Sequence, residues 1–199
     1  MAETNRITFW FIVDVSGSMY GENIASVHAS LAECINELKS PDAMAGKDIY
    51  VKVLTFGDKL EVLNPGEEIK DFVLPQFVVK KDEDGFYPIT SYKCLYEEMY
   101  HLLEEDSEKD YYLLLTDGKV IDTGEYEEAL ERIQNCLTYK NAEKYVALVG
   151  TKNHMIDNDI MKFVDFKGDK IIELEHLSDE ISKIRRIYSD DNQYDEIFN

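Results

Sequence analysis

The sequence has 199 residues, of which 21 are Lys or Arg and 41 are Asp or Glu, so its formal net charge is −20. This length suits one domain with a full hydrophobic core, and a hydrophobic content of 44% is too high for a disordered chain. A surface this acidic repels phosphates, so we expect neither a nucleic-acid partner nor an anionic membrane. The charge instead favours solubility, basic partners or cations.

In chain order, apolar strand-like runs alternate with amphipathic stretches. The pattern predicts the following elements: a strand at Ile7–Val13, a helix at Ile24–Lys39, strands at Ile49–Phe56 and Leu60–Leu63, a helix at Ser91–Glu105, a strand at Tyr111–Leu115, a helix at Glu125–Leu137, a strand at Lys144–Val149, a helix at Ile156–Phe163, a strand at Lys170–Leu174 and a helix at Leu177–Ile187. Residues 1–188 would form a single domain, followed by an acidic, mobile tail over 189–199.

The same pattern predicts an α/β fold. Continuous apolar strands alternating with helices indicate a mostly parallel sheet with helices on both faces. The hairpin signal Gly57-Asp58-Lys59 makes the strand after it an antiparallel edge strand. In such sheets, ligands bind at the carboxyl ends of the strands, near the point where strand order reverses.

Cysteine usage and the N-terminus indicate a reducing compartment. Cys34, Cys94 and Cys136 form no Cys-x-x-Cys pair and no Cys/His cluster, which argues against a disulfide framework or a zinc site. The first residues lead directly into Ile7–Val13, which is too short to span a bilayer. We therefore expect no signal peptide and a cytoplasmic protein.

Two predicted strands end in polar residues that carry chemistry. The first is followed by Asp14-Val15-Ser16-Gly17-Ser18 and the second by Thr116-Asp117-Gly118. If the strands are neighbours, the two carboxylates lie close together and repel unless a cation sits between them. Oxygen ligands alone select a hard ion such as Mg²⁺, Ca²⁺ or Mn²⁺. Taken singly, each segment also suits a capped turn, but the combination favours a metal site.

The Asp-x-Ser-x-Ser segment, a lone Thr90 and the Thr-Asp-Gly triplet resemble, in the same chain order, the metal-ion-dependent adhesion site of von Willebrand factor A domains. The extension to Met19 and Gly21-Glu22-Asn23-Ile24 is similar to small stand-alone bacterial members associated with tellurite-resistance and related stress operons. The resemblance covers about Ile7 to Ile187. It implies a Rossmann-like, doubly wound, mostly parallel six-stranded sheet with one antiparallel edge strand.

The resemblance also implies a ligand set for one divalent metal, with Mg²⁺ ahead of Mn²⁺ or Ca²⁺. The predicted ligands are the side chains of Asp14, Ser16, Ser18, Thr90 and Asp117, and a Glu or Asp of a protein partner would complete the octahedron. Thr90 departs from the family pattern, because a Gly-Gly-Thr segment is replaced by Pro88-Ile89-Thr90. Ser91 is the alternative ligand, or else the N-cap of the following helix.

Three functions remain open at this point. The first is a non-enzymatic module that binds a partner carboxylate through the metal. The second is a Mg²⁺-dependent phosphohydrolase of the haloacid-dehalogenase type, which needs Asp-x-Asp, whereas Ser16 occupies the position of the second Asp and cannot transfer protons at neutral pH. The third is a structural domain without a ligand. Tyr20 and Tyr92 adjoin the metal loops and are candidates for the border of a partner surface.

Overall fold

The computed structural model describes residues 6–40, 47–103, 109–118, 126–150, 158–184 and 186. Its six strands are β1 (Arg6–Asp14), β2 (Asp48–Phe56), β3 (Leu60–Glu68), β4 (Lys109–Thr116), β5 (Glu143–Leu148) and β6 (Ile171–Glu173). Its helices are α1 (Glu22–Leu38), α2 (Tyr92–Leu102), α3 (Glu127–Gln134), α4 (Leu137–Asn141), α5 (Asn158–Phe163) and α6 (177–184). Short 3-10 turns occupy Gly17–Met19, Gly168–Lys170 and Leu174–His176.

The six strands form one sheet in the order β3-β2-β1-β4-β5-β6. All neighbouring pairs are parallel except β2 and β3, which are antiparallel. The predicted fold class is therefore confirmed. Strand order reverses beside β1, which lies between β2 and β4, so the carboxyl ends of β1 and β4 meet at the switch point of the sheet.

Side chains of β1 alternate between two hydrophobic cores. Phe9, Phe11 and Val13 pack in the core formed with α1 and α6. Trp10 and Ile12 pack in the opposite core, formed with α2, α3, α4 and α5. Because helices cover both faces, every residue of β1 after Arg6 is buried, which explains the unbroken apolar run in the sequence.

The edge strand β3 is longer than predicted. It extends over Leu60–Glu68, whereas the sequence indicated only Leu60–Leu63. Its pairing with β2 shifts register between Val51 and Val53 and again between Val53 and Leu54. Pro65 lies in the first of these irregularities, between Asn64 and Glu67, where regular strand pairing is interrupted and a proline is tolerated.

The helix predicted over Glu125–Leu137 is confirmed at Glu127–Gln134, but its predicted continuation to Leu137 is wrong, and Glu125 lies outside the described residues. Helix α3 ends at Gln134, and α4 begins at Leu137 after Cys136 adopts extended backbone angles (φ −74°, ψ 130°). The break leaves Leu137 73% exposed and buries Tyr139 to 1%. The Tyr139 ring then stacks on Tyr112 at 5.5 Å between centroids, a packing gain that the continuous helical stripe did not predict.

Other predictions have simpler outcomes. The three cysteines are free, with Cys34 buried and the other two half-buried. Burial raises the pKa of the Cys34 thiol to about 12, which keeps it inert. No helix in the described part of the chain combines the length and apolar character needed to cross a membrane. The tail predicted over 189–199 lies outside the described residues.

Candidate metal centre

The first part of the site is the turn after β1. Asp14 is the last residue of β1 and is fully buried, at 0% exposure. Its Oδ1 accepts a hydrogen bond from the Ser16 backbone N–H at 2.8 Å, which bends the chain back toward the strand end. The Ser16 and Ser18 hydroxyl oxygens then lie 3.2 Å apart. Neighbouring ligands of an octahedral magnesium ion lie roughly 2.9 Å apart, so this hydroxyl pair has nearly the spacing of two adjacent ligands.

The second part of the site is the end of β4, the neighbour of β1. The Thr116 hydroxyl donates to Asp14 Oδ2 at 2.7 Å and accepts from the Gly118 backbone N–H at 3.1 Å. Asp117, between them, is 2% exposed. Thr116 therefore ties the two strand ends together. The sequence pattern indicates Thr116 only as part of the Thr-Asp-Gly triplet and predicts no separate role for its hydroxyl.

The electrostatics of Asp14 suit a cation. Burial raises the pKa of the Asp14 carboxyl above its ordinary value, and the negative charge of Asp117 adds to that rise. Hydrogen bonds from Ser16 and Thr116 act in the opposite direction without overcoming the effect of burial. Two carboxylates buried at one point are costly unless a positive charge lies between them.

The third part of the site is the loop that carries Thr90, which is 1% exposed. The Gly17 N–H donates to the Pro88 carbonyl at 2.9 Å, and the Ser91 N–H donates to the Gly57 carbonyl at 3.2 Å. The loop is thereby held against the turns that follow β1 and β2. The Pro88 carbonyl, two residues before Thr90, thus lies against the turn that carries the two serines.

Two glycines on the facing turns explain how this loop can lack glycines of its own. A Cβ added at Gly17 would lie 2.7 Å from Tyr87 Cβ, and one added at Gly57 would lie 2.8 Å from Pro88 Cβ. Both distances are too short for real side chains. Because Gly17 and Gly57 have no side chains, the turns that carry them can approach the loop closely, and the bulky Tyr87-Pro88-Ile89 segment fits against them.

Ser91 has a different task from Thr90. Its hydroxyl accepts a hydrogen bond from the Cys94 N–H at 3.2 Å, which caps the N-terminus of α2. The structure therefore favours the helix-cap interpretation of Ser91. Thr90 remains the predicted ligand from this loop.

The donor set fits a hard divalent ion. It combines two buried carboxylates with hydroxyl oxygens, and none of the predicted ligands is a sulfur or an imidazole. In the described residues, an exposed group of Glu173, Glu175 and His176 also has its ligand atoms within 4.8 Å of one another. That group lies at the end of β6, shares no residue with the predicted site and consists of exposed side chains, which often cluster without an ion.

The two tyrosines next to the metal loops have opposite surroundings. Tyr92 is fully buried, with its ring centroid 5.9 Å from that of Tyr96 and 6.0 Å from that of Tyr126, so it is a core residue. Tyr20 is 62% exposed, and its ring lies 5.3 Å from the ring of Tyr87. Only Tyr20 is available to a partner.

Comparison with solved structures supports the class to which this fold belongs. No protein-family model matches the sequence, and no curated protein does. An aerotolerance-related membrane protein from Bacteroides fragilis matches with a TM-score of 0.55 at 10% identity, covering 89% of this chain and 99% of its own. A von Willebrand factor type A structure from Catenulispora acidiphila matches with a TM-score of 0.59 at 13% identity, covering 90% of this chain and 42% of its own.

A third match is the proximal thread matrix protein 1 of the mussel byssus, whose structure has a zinc-occupied metal-ion-dependent adhesion motif. Its TM-score is 0.59 at 15% identity, and the match covers 92% of this chain and 46% of that one. At these identities the likeness establishes a shared fold. The chain therefore has the von Willebrand factor A fold, as the resemblance in its motifs predicted.

Proposed function

We propose that this chain is a non-enzymatic binding module that holds a divalent metal and presents it to a carboxylate of a protein partner. The predicted ligands are Asp14, Ser16, Ser18, Thr90 and Asp117. The observation that carries the proposal is the pair of buried carboxylates at the switch point of the sheet, beside two hydroxyls at ligand spacing. The zinc-occupied motif of the mussel protein, on the same fold, supports a divalent ion at this edge.

The chemistry of the donor set favours an anionic ligand from outside. Asp14 and Asp117 supply the negative charge, while Ser16, Ser18 and Thr90 supply neutral oxygens. When bound, a divalent ion in such a set keeps Lewis acidity and attracts one further anionic oxygen. A carboxylate would otherwise be repelled by a chain of net charge −20, so its binding should depend strictly on the metal.

The site argues against the phosphohydrolase alternative. A nucleophilic aspartate must be accessible to its substrate. Asp14 is fully buried, at 0% exposure. Ser16, at the position of the second aspartate, offers no carboxyl for proton transfer.

The setting that we propose is cytoplasmic, in a bacterial stress or tellurite-resistance system. It is supported by the similarity of Asp14–Ile24 to small stand-alone bacterial domains and by cysteines that are all free. Mg²⁺ is the proposed ion because the donors are all oxygen and magnesium is the abundant hard cation of the cytoplasm; Mn²⁺ and Ca²⁺ fit the same donors.

The test is a pull-down from the native host with the immobilised protein, in Mg²⁺ and in excess EDTA. We expect a partner that is retained only in Mg²⁺ and is lost with Asp14→Ala. A matched control is Asp58→Ala, which removes an exposed carboxylate from the turn after β2 without touching the predicted ligands. Retention of the partner in EDTA would overturn the proposal. Mg²⁺-dependent hydrolysis of an aryl phosphate that Asp14→Asn abolishes would favour the phosphohydrolase instead.

A further inference from the structure

Four exposed apolar side chains flank the candidate metal centre. Tyr20 follows the serine turn, and Phe86, Tyr87 and Ile89 lead into Thr90. Their exposed fractions are 62%, 70%, 36% and 46%, respectively. Single exposed apolar residues are common on protein surfaces, but a group of them beside a site is typical of a binding surface. We call these four residues the aromatic ridge.

The ridge is one surface built from two segments. The Tyr20 and Tyr87 rings lie 5.3 Å apart, so the two segments are in contact. Below the rings, the Gly17 N–H donates to the Pro88 carbonyl at 2.9 Å. Tyr20 is two residues from the predicted ligand Ser18, and Ile89 directly precedes Thr90. A ligand seated on the metal would therefore extend over the ridge.

The ridge is also held in place before any partner arrives. The Asp82 N–H donates to the Phe86 carbonyl at 2.8 Å, and the Phe86 N–H donates to Asp82 Oδ1 at 2.7 Å. The Gly85 N–H, at a positive φ of 86°, closes the same loop onto the Asp82 carbonyl at 3.1 Å. Such preorganised aromatic surface loses little conformational entropy on binding.

The charges around the aromatic ridge favour some partner segments over others. The exposed loop Lys80–Asp84 carries two lysines and three acidic residues, and the Lys81 ammonium lies over the Tyr87 ring at 4.7 Å. The carboxylates of Asp82, Glu83 and Asp84, on a chain of net charge −20, repel further carboxylates of a partner. They attract a segment whose other charges are positive.

We propose that the aromatic ridge binds an aromatic or branched aliphatic side chain within about two residues of the coordinating Asp or Glu, on a segment of the protein partner that is otherwise basic. This inference rests on the proposed function, because the metal supplies the anchor. It goes beyond that function by stating which carboxylates are chosen. A lone acidic residue in apolar, basic surroundings would bind, and an acidic cluster would not.

The first experiment is a selection from displayed peptides that have a fixed central Glu and random flanks, on the immobilised protein in Mg²⁺. We expect enrichment of Phe, Tyr, Trp, Leu or Ile within two residues of the Glu, and of Lys or Arg beyond it. Enriched peptides with polar or acidic flanks would overturn the inference. Peptides that bind equally in EDTA, or a selection without any Mg²⁺-dependent peptide, would count against the proposed function itself and with it this inference.

The second experiment measures the affinity of one enriched peptide for the ridge variants Tyr20→Ser and Tyr87→Ser. In Tyr87→Ser, the serine keeps the Cβ that lies against Gly17, so the loop that carries Thr90 retains this contact. We expect the affinity of each variant for the peptide to fall by about tenfold or more, as for aromatic residues at the centre of an interface, while its affinity for Mg²⁺ stays unchanged. Unchanged affinity for the peptide, with binding still abolished by EDTA, would overturn the inference about the aromatic ridge but would leave the proposed metal-dependent function unaffected.

The matched control is Leu137→Ser, which removes an apolar side chain that is 73% exposed at the start of α4. Helix α4 precedes β5 and so lies toward the amino ends of the strands, away from the metal edge. Its variant should bind the peptide like the wild type. Sedimentation velocity tests a second occupant, another copy of this chain. A dimer that Tyr87→Ser dissociates would show that the ridge is a self-interface and would overturn the inference.

Discussion

The substitution Asp14→Asn separates what the predicted site does for stability from what it does for binding. Asp14 is fully buried beside Asp117, which is 2% exposed. The Asn amide oxygen can accept from the Ser16 N–H as Asp14 Oδ1 does at 2.8 Å. Its NH₂ group can donate to the Thr116 hydroxyl, which now donates to Asp14 Oδ2 at 2.7 Å. The change removes one buried charge and leaves the shape almost intact.

Without metal, we expect the free energy of unfolding of the Asn variant to exceed that of the wild type by about 1–2 kcal/mol, the usual gain when a functional site is relieved of an unfavourable group. The gain arises because a desolvated charge no longer faces a second carboxylate. With Mg²⁺ at about one hundred times its dissociation constant, the wild type gains about 2.7 kcal/mol and the variant gains nothing. The order of the two stabilities therefore reverses.

The assay is urea or thermal unfolding of both proteins in EDTA and in Mg²⁺. For a domain of this size, about 2.7 kcal/mol raises the Tm by roughly 5–11 °C. Asp110→Asn is the matched control, because Asp110 is 5% exposed, accepts a hydrogen bond from Trp10 Nε1 at 3.1 Å and lies at the other end of β4. Its Mg²⁺ response should equal that of the wild type. An Asp14→Asn variant less stable than the wild type in EDTA, or one stabilised equally by Mg²⁺, would refute the reasoning.

Three further predictions follow from neighbouring contacts. Thr90→Ala should weaken Mg²⁺ binding, measured by calorimetry, by about tenfold or more. Ser91→Ala should leave Mg²⁺ binding unchanged and lower the free energy of unfolding by about 1 kcal/mol, because the helix cap is lost. The reverse pattern would make Ser91 the ligand. Gly17→Ala should destabilise the protein by about 1–3 kcal/mol in urea unfolding, because the new Cβ would lie 2.7 Å from Tyr87 Cβ, and an unchanged midpoint would contradict this contact. Burial, together with the hydrogen bond to the Asp159 carboxylate, raises the pKa of Tyr126 from 10.0 to about 12. The stabilising contribution of the neutral Tyr126 hydroxyl is therefore complete below pH 10 and is lost as the pH rises through 12. Over that range, the difference in free energy of unfolding between the wild type and Tyr126→Phe should shrink.

Most elements of the fold could be predicted from the sequence because their signals are local. The apolar run at Ile7–Val13 marks a strand buried on both faces, and the hairpin signal at Gly57 correctly indicates an antiparallel edge. The exceptions are the length of β3 and the end of the helix predicted over Glu125–Leu137. There, the packing of Tyr139 on Tyr112 outweighs a continuous helical stripe, and packing against a distant strand leaves no local signal.

The candidate site divides in the same way. Asp14, Ser16 and Ser18 could be predicted together because one segment of five residues carries them. Asp117 can approach Asp14 only if β1 and β4 are neighbours in the sheet. That pairing is supported by the hydrogen bond between Thr116 and Asp14, which are 102 positions apart, and it has no local signal. The sequence therefore predicts the pair of carboxylates only on the condition that the two strands are neighbours.

Local patterns in the sequence predict the candidate oxygen ligands and the strand ends at which they lie, because residue type and strand pattern are local. The position of the loop that carries Thr90 depends on the tertiary fold, since Gly17 and Gly57, on turns that are distant in sequence, make room for it. The tertiary fold also places Tyr92 in the core and Tyr20 beside Tyr87 at the surface. Burial depends on which segments meet in space, and a single residue's neighbours along the chain do not reveal that.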